Sequence, residues 1–179
     1  MRTFVALEIP DWYADEVAEF TRSFGPTVEG RFTPRENYHV TLAFLGNTPE
    51  AVVRQVMDAM DELARIALPA TLEPDRLGTF GRPHDCTLWL GFKRTDELDD
   101  LARDLRERLS ARGIPFDEKR FMPHLTLARR VQLPEGSLPA AGFPGRCRTA
   151  RVTLFKSTLQ PEGASYQPLY TVELPDLPR

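Results

Sequence analysis

With 179 residues, 41% of them apolar and 27% charged, the chain is long enough to bury one substantial core, or two intimately packed lobes, without staples. A formal net charge of −3 excludes a protein that coats long nucleic acid by neutralising many phosphates, yet leaves room for a site that handles one phosphate at a time. The apolar runs are too short to span a bilayer, and the two cysteines, Cys86 and Cys147, form no C-x-x-C pair, which excludes zinc-ribbon and thioredoxin readings.

The opening "RTFVALEI" alternates as a strand does. It has neither the apolar stretch nor the cleavage site of a signal peptide, so it reads as the first strand of a cytoplasmic protein. In "PDWYADEVAEFTRSF" the residues Tyr13, Val17, Phe20 and Phe24 fall at helical spacing. "GPTVEGRFTPREN" is punctuated by Pro and Gly and reads as a connector, and "YHVTLAFL" as the next strand. Thr48-Pro49-Glu50 has the form of a helix start, with Thr48 as N-cap and Pro49 at the first helical position. Val53, Val56, Met57, Met60, Leu63 and Ala67 then share one helical face.

"TLEPDRLGTF" and "CTLWLGF" read as strands joined by the turn "GRPHD". Thr95 opens a third helix with the stripe Leu98, Leu101, Ala102, Leu105 and Leu109, ended by Gly113 and Pro115. The strand "PHLTLARR" follows. "LPEGSLPAAGFPGR" is a long Pro/Gly-rich connector, of a kind often functional or mobile. "RVTLFKSTL" and "YQPLYTVEL" form a closing hairpin, in which Pro168 assigns its strand to an edge. The order βα-β-α-ββ-α-β-ββ predicts an α+β fold of antiparallel or mixed sheets covered by helices, within a single two-lobed domain over 1–179. Two free thiols in a reducing compartment complete this reading.

An internal echo carries the chemistry. "HVTLA" begins at His39 and "HLTLA" at His124, 85 residues apart, which is too long for a solenoid repeat and fits a duplicated half-domain with a pseudo-two-fold axis. In a strand, His39, Thr41 and Ala43 share one face, and His124, Thr126 and Ala128 share the corresponding one. Neither face carries the Glu, Lys or Asp of a plain solvent surface. If the strands meet about the axis at roughly the 4.8 Å spacing of sheet neighbours, two imidazoles and two hydroxyls surround one phosphoryl group. One histidine then accepts a proton while the other donates one, and the threonines donate to non-bridging oxygens. Such a site requires no metal. A zinc site from His39, His84 and His124 is disfavoured, because threonine is a poor zinc ligand and no acidic residue stands two positions from either motif histidine.

On these residues the chain resembles the two-histidine phosphoesterase superfamily, and within it the RNA 2′,3′-cyclic phosphodiesterases, also called 2′-5′ RNA ligases. The resemblance covers essentially the whole chain: "RTFVALEIP", "ENYHVTLAFLGNT", "LGTFGRP…TLWLGF", "RFMPHLTLARR" and the closing "VTLFKSTLQPEGASYQPLYTVEL". It implies two pseudo-symmetric lobes, each a sheet with helices on its outer face, and a central cleft between the sheets. It implies metal- and cofactor-independent opening of a terminal 2′,3′-cyclic phosphate, on RNA 3′ ends or small cyclic nucleotides, to a 2′-phosphate. It implies His124 as the proton acceptor that activates water, His39 as the proton donor to the departing 3′-oxygen, Thr41 and Thr126 as substrate contacts, and a reversible 2′-5′ ligation. Arg129 matches an arginine after the second motif. Strict alternation points it away from His124, so a twist or bulge is required to bring it in. Where the family often has a basic residue, "RPHDC" places His84.

The expectation is a monomer with no membrane attachment and no obligate protein partner. A non-catalytic RNA- or nucleotide-binding module on the same fold is the alternative. Among the aromatic residues, Phe44 shares the face of Val40 and is assigned to the core. Phe80 and Phe121 are candidates for a cleft rim, and Phe143 for base stacking.

Overall fold

The computed structural model describes residues 1–133, 137–139 and 142–176. The alternating N-terminal run forms β1 (Arg2–Glu8), and Thr3 to Leu7 are buried without a break. That pattern marks an interior strand, and β1 lies between β3 (His39–Asn47) and β9 (Arg151–Gln160), with β10 (Gly163–Glu173) outside β9. The resulting sheet, β10-β9-β1-β3, is antiparallel throughout. Pro168 lies in its edge strand, as expected of a residue without an N–H to donate.

The second sheet has the order β2-β7-β6-β5: β2 (Glu29–Phe32), β5 (Pro74–Arg82), β6 (Asp85–Phe92) and β7 (His124–Gln132). It too is antiparallel. A short pair, β4 (Ala70–Leu72) with β8 (Cys147–Thr149), stands apart. Among the described residues three α-helices complete the fold: α1 (Asp11–Phe24), α2 (Glu50–Ile66) and α3 (Asp96–Ala111). α1 buries all four residues of its predicted stripe and α3 all five, whereas in α2 Val56, Met60 and Leu63 are buried, Val53 and Met57 are half-buried, and Ala67 lies just past the helix end. One contiguous apolar cluster joins Val5 and Leu7 of the first sheet to Leu88, Leu90, Leu125 and Leu127 of the second. No helix of the described residues is long and apolar enough to cross a membrane.

The lobes are not the two halves of the sequence. The repeated unit is β1-α1-β3 against β6-α3-β7, a helix between two antiparallel strands. Around it β9 and β10 return to the first sheet, while β2 leaves its neighbours in sequence to join the second. The Pro and Gly of its tract place β2 inside a connector in the sequence reading, and in the structure three of its four residues are exposed.

Two further expectations are corrected. Thr48 does not cap α2. Its buried hydroxyl bonds Thr3 Oγ1 at 2.8 Å, and the helix begins after Pro49. The tract 71–80 splits into β4 and β5 rather than forming one strand. Thr95 does cap α3, accepting from the Leu98 N–H at 3.2 Å. Gly113, at φ +68°, ends that helix, with the Ile114 N–H returning to the Leu109 carbonyl. Part of the Pro/Gly-rich connector, 134–136 and 140–141, lies outside the described residues.

Candidate active site

The two motif strands share a backbone irregularity. Along β1 and β3, Ala6 faces Thr41 and Val5 faces Ala43, so Leu42 is an extra residue. Along β6 and β7, Trp89 faces Thr126 and Leu88 faces Ala128, so Leu127 is the extra one. The two β-bulges fall at the same place in the motif. A bulge resets which face the following side chains take. Leu42 and Ala43 are buried together, as are Leu127 and Ala128, and the next residue of each strand returns to the face of the histidine. That residue is Phe44 in β3 and Arg129 in β7. Phe44 therefore lines the cleft instead of the core, a correction to strict alternation, and Arg129 obtains the bulge it required.

The histidines are held alike. His39 Nδ1 lies 2.7 Å from the Asn37 carbonyl, and His124 Nδ1 lies 2.6 Å from the Met122 carbonyl. A carbonyl oxygen only accepts, so each Nδ1 carries hydrogen and each Nε2 is left to exchange a proton. Asn37 is itself fixed by its side-chain N–H donating to the Ala164 carbonyl at 3.0 Å. Their surroundings differ. His39 lies tilted on Phe4, with ring centroids 4.8 Å apart, and edge-on to Tyr166 at 5.3 Å. His124 is edge-on to Phe80 at 5.3 Å and tilted to Trp89 at 5.8 Å.

Both rings are biased towards neutrality. Burial pushes His39 down to about 4. The Asn37 carbonyl opposes this, and the charges of His124 and Arg129 add to it. Burial also lowers His124, opposed by the Met122 carbonyl and reinforced by Arg129. Arg129 is thus near enough to act on both imidazoles, and His124 near enough to act on His39. The strands that carry them approach but belong to different sheets, so they are not the hydrogen-bonded neighbours the sequence reading imagined.

His39, Thr41, Phe44 and Arg129 line a cleft of about 450 Å³, together with Arg2, Arg31 and Tyr166. Among the described residues, neither the Thr41 nor the Thr126 hydroxyl is committed to a protein partner. Arg2 lies over the Phe44 ring, its guanidinium carbon 4.7 Å from the centroid. Arg106 of α3 donates from Nε to the carbonyl of the bulge residue Leu42 at 3.0 Å. The sequence reading missed Arg2, Arg31, Arg106 and Tyr166. No motif marks them, and each reaches the site only through strand pairing or helix packing.

Other named residues stand elsewhere. His84 is exposed in the β5–β6 turn and does not line the cleft. Phe80 is 42% exposed and edge-on to His124, and neither it nor His124 is among the residues that line the cleft. Phe121 is not at the cleft rim: it lines a separate groove along α3 with Phe116. Phe143 lies near Phe20, away from the cleft. Cys86 and Cys147 are buried free thiols, and burial pushes Cys147 up to about 12. Among the described residues, no three His, Cys, Asp or Glu side chains are grouped to hold a metal ion.

Comparison with known proteins agrees with this architecture. The family model described as the 2′-5′ RNA ligase superfamily matches residues 9–160. An RNA 2′,3′-cyclic phosphodiesterase of Thermotoga maritima is 31% identical, over 95% of this chain and 94% of its own. One of Escherichia coli is 30% identical, over 94% and 93%. The crystal structure of E. coli LigT in apo form superposes with a TM-score of 0.79 at 28% identity, over 96% of each chain. LigT complexed with 3′-AMP gives the same TM-score and identity, over 97% of each.

Proposed function

The chain belongs to the 2′-5′ RNA ligase superfamily, and from that premise we propose that it is an RNA 2′,3′-cyclic phosphodiesterase yielding a 2′-phosphomonoester. In this reading the cyclic phosphate sits between the imidazoles. His124 Nε2 takes a proton from water, and the water oxygen forms a bond to phosphorus. The bond from phosphorus to the 3′-oxygen breaks, and protonated His39 Nε2 gives its hydrogen to that oxygen. One water is consumed, and proton exchange with solvent resets both rings. Thr41 and Thr126 donate to the non-bridging oxygens, where charge gathers, and Arg129 offsets the phosphate charge. In this reading the protein groups suffice without metal or cofactor. With the 5′-hydroxyl of a second RNA in place of water, the same step forms the bond from that oxygen to phosphorus as the 3′-oxygen leaves, giving a 2′-5′ linkage.

The observation that carries this reading is the matched pinning of the two rings. Each Nδ1 is fixed by the carbonyl two residues before it, so each Nε2 is the atom left for proton transfer. Burial that favours the neutral form of both rings fits a base, but the acid needs a proton. The phosphate supplies the reason to hold one, because an adjacent anion favours the imidazolium. His39 is the more strongly depressed of the two, which favours a second reading with the roles exchanged. We further propose a cytoplasmic monomer with its active site in one two-lobed domain.

Incubation with nucleoside 2′,3′-cyclic monophosphates in excess EDTA tests the whole. Turnover to the 2′-phosphomonoester is expected. Activity only with added metal rejects the two-histidine chemistry, binding without turnover indicates a nucleotide-binding module, and a 3′-phosphate product rejects the assigned bond cleavage.

A further inference from the structure

Resting on the proposed activity, we infer that Arg31, standing beside Arg129 at the cyclic phosphate, forms a second anion site, which takes the phosphate on the 5′ side of the terminal nucleoside. In the ladder between β2 and β7, Arg31 lies directly opposite Arg129. Directly opposed residues present their side chains on the same face of a sheet, and like charges so placed repel. Both arginines line the cleft. Among the described residues neither has a carboxylate partner, whereas the adjacent Arg130 is paired with Asp85 at 3.1 Å. Two cations side by side without a direct ion pair, in a cleft where Glu162 is the lining carboxylate, favour an anion against them. Guanidinium forks match phosphate oxygens in geometry as well as in charge.

The backbone holds the pair in register. The β2–β7 ladder slips by one residue beyond Arg31, where Arg130 takes φ +54°. Gly30 lets β2 press against that irregularity: a Cβ there would lie 2.8 Å from Val131 Cγ2 and 3.3 Å from the Arg129 carbonyl oxygen. A larger residue at 30 would lift β2 away and carry Arg31 with it. Arg129 acts electrostatically on both histidines, and Arg31 lies one strand farther out, on the outer strand of the same sheet. In the inferred mode the neighbouring phosphate of an RNA strand lies over β2. One phosphate between two histidines does not call for this second cation.

The test compares three substrates: a nucleoside 2′,3′-cyclic monophosphate, the same compound carrying a 5′-phosphate, and a dinucleotide ending in a 2′,3′-cyclic phosphate. The last two should exceed the first in kcat/KM by about tenfold or more, as a charge-assisted contact implies, and added salt should shrink the gain. Arg31→Gln should abolish most of that ratio, and Arg31→Lys should restore part of it. A gain seen only with the dinucleotide, pointing to stacking instead of charge, overturns the inference. So does a gain that survives Arg31→Gln. If the wild-type protein opens none of the three, the activity beneath the inference fails first; if it opens all three equally, only the second anion site fails.

Discussion

β3 and β7 carry the same motif on the same bulged backbone, and they differ in nearly everything the motif touches. At the bulge exit β3 presents Phe44, with Arg2 over its ring, while β7 presents Arg129. His39 is packed by Phe4 and Tyr166, and His124 by Phe80 and Trp89. β7 is flanked by strands on both sides, whereas β3 is the edge of its sheet. The repeat presents two histidines pinned alike with unlike neighbours. The proposed reaction, which uses one of them as acid and the other as base, can exploit that inequality. The pKa order is one expression of the difference, and Arg129 at the bulge exit, where β3 has Phe44, is another.

The most severe way to probe the comparison is to remove one ring at a time. His39→Ala and His124→Ala should each lower kcat by at least about 10²-fold, with circular dichroism unchanged. The double variant should be little worse than the poorer single one, because the two groups act as a unit. Near-normal turnover in either single variant would show that the halves do not share one phosphorus.

Arg129→Phe would give β7 the residue that β3 carries at the same position. The loss should be about 10- to 100-fold in kcat/KM, the range for removing a charged contact to phosphate. The same variant should relieve part of the depression of both histidines, since Arg129 lowers each. NMR titration of the two imidazoles reads this directly. If only His124 responded, Arg129 would belong to one half and would not lie between them.

The pH profiles sharpen the contrast. In the free protein both histidines lie below the ordinary imidazole value, so the alkaline limb of kcat/KM, where the acid loses its proton, should fall at low pH. A bound phosphate raises both rings, so the alkaline limb of kcat should lie about a unit or more higher. The same shifts predict a stability effect. Between the unfolded value near 6.5 and the folded value of about 4 for His39, the unfolded chain holds the extra proton, so stability falls as pH falls through that window. His39→Ala should flatten this dependence more than His124→Ala does, and chemical denaturation at several pH values measures it.

What the sequence made legible was whatever repeats or alternates. The stripes of α1 and α3, the Thr95 cap and the Gly113 stop are local patterns that hold, that of α2 holds in part, and the two histidines stand at equivalent places of two bulged strands. Strict alternation failed at two positions, Phe44 and Arg129, and for one reason: a bulge adds a residue without leaving a mark in composition. "VTLAF" and "LTLAR" show nothing that separates a regular strand from a bulged one. Two equivalent exceptions in equivalent places were the available clue, since Arg129 could enter the cleft only if the strand broke register, and the repeat extends any such break to Phe44. β2 was missed because four mostly exposed residues acquire strand identity from the partner they join. Arg106 was invisible for a similar reason: a helix residue reaches a bulge in another lobe only once the lobes are packed.

Arg106 also defines the smallest predicted effect, on the asymmetry of the strand edges. Beside β7, strand β2 satisfies the outer carbonyls. Beside β3 there is no strand, and two isolated donors take its place: Arg106 Nε to the Leu42 carbonyl at 3.0 Å, and the Asp117 N–H to the Phe44 carbonyl at 2.8 Å. The same guanidinium donates from Nη1 to the Lys119 carbonyl at 2.8 Å, tying the bulge of one motif to the segment that leads into the other. Arg106→Met keeps the length of the side chain but leaves the Leu42 carbonyl without its donor, a loss of roughly 1–3 kcal/mol for a buried acceptor. If the bond serves only stability, Tm falls and kcat per folded molecule is unchanged. If it holds the bulge that aims Thr41 and Phe44, kcat falls several-fold with little change in KM. Arg106→Lys, able to donate to one carbonyl but not both, should then recover part of kcat. Because β2 protects the other bulge, no single side chain on the β7 side should reproduce this split, and a variant there that did would show that the two edges are not held differently after all.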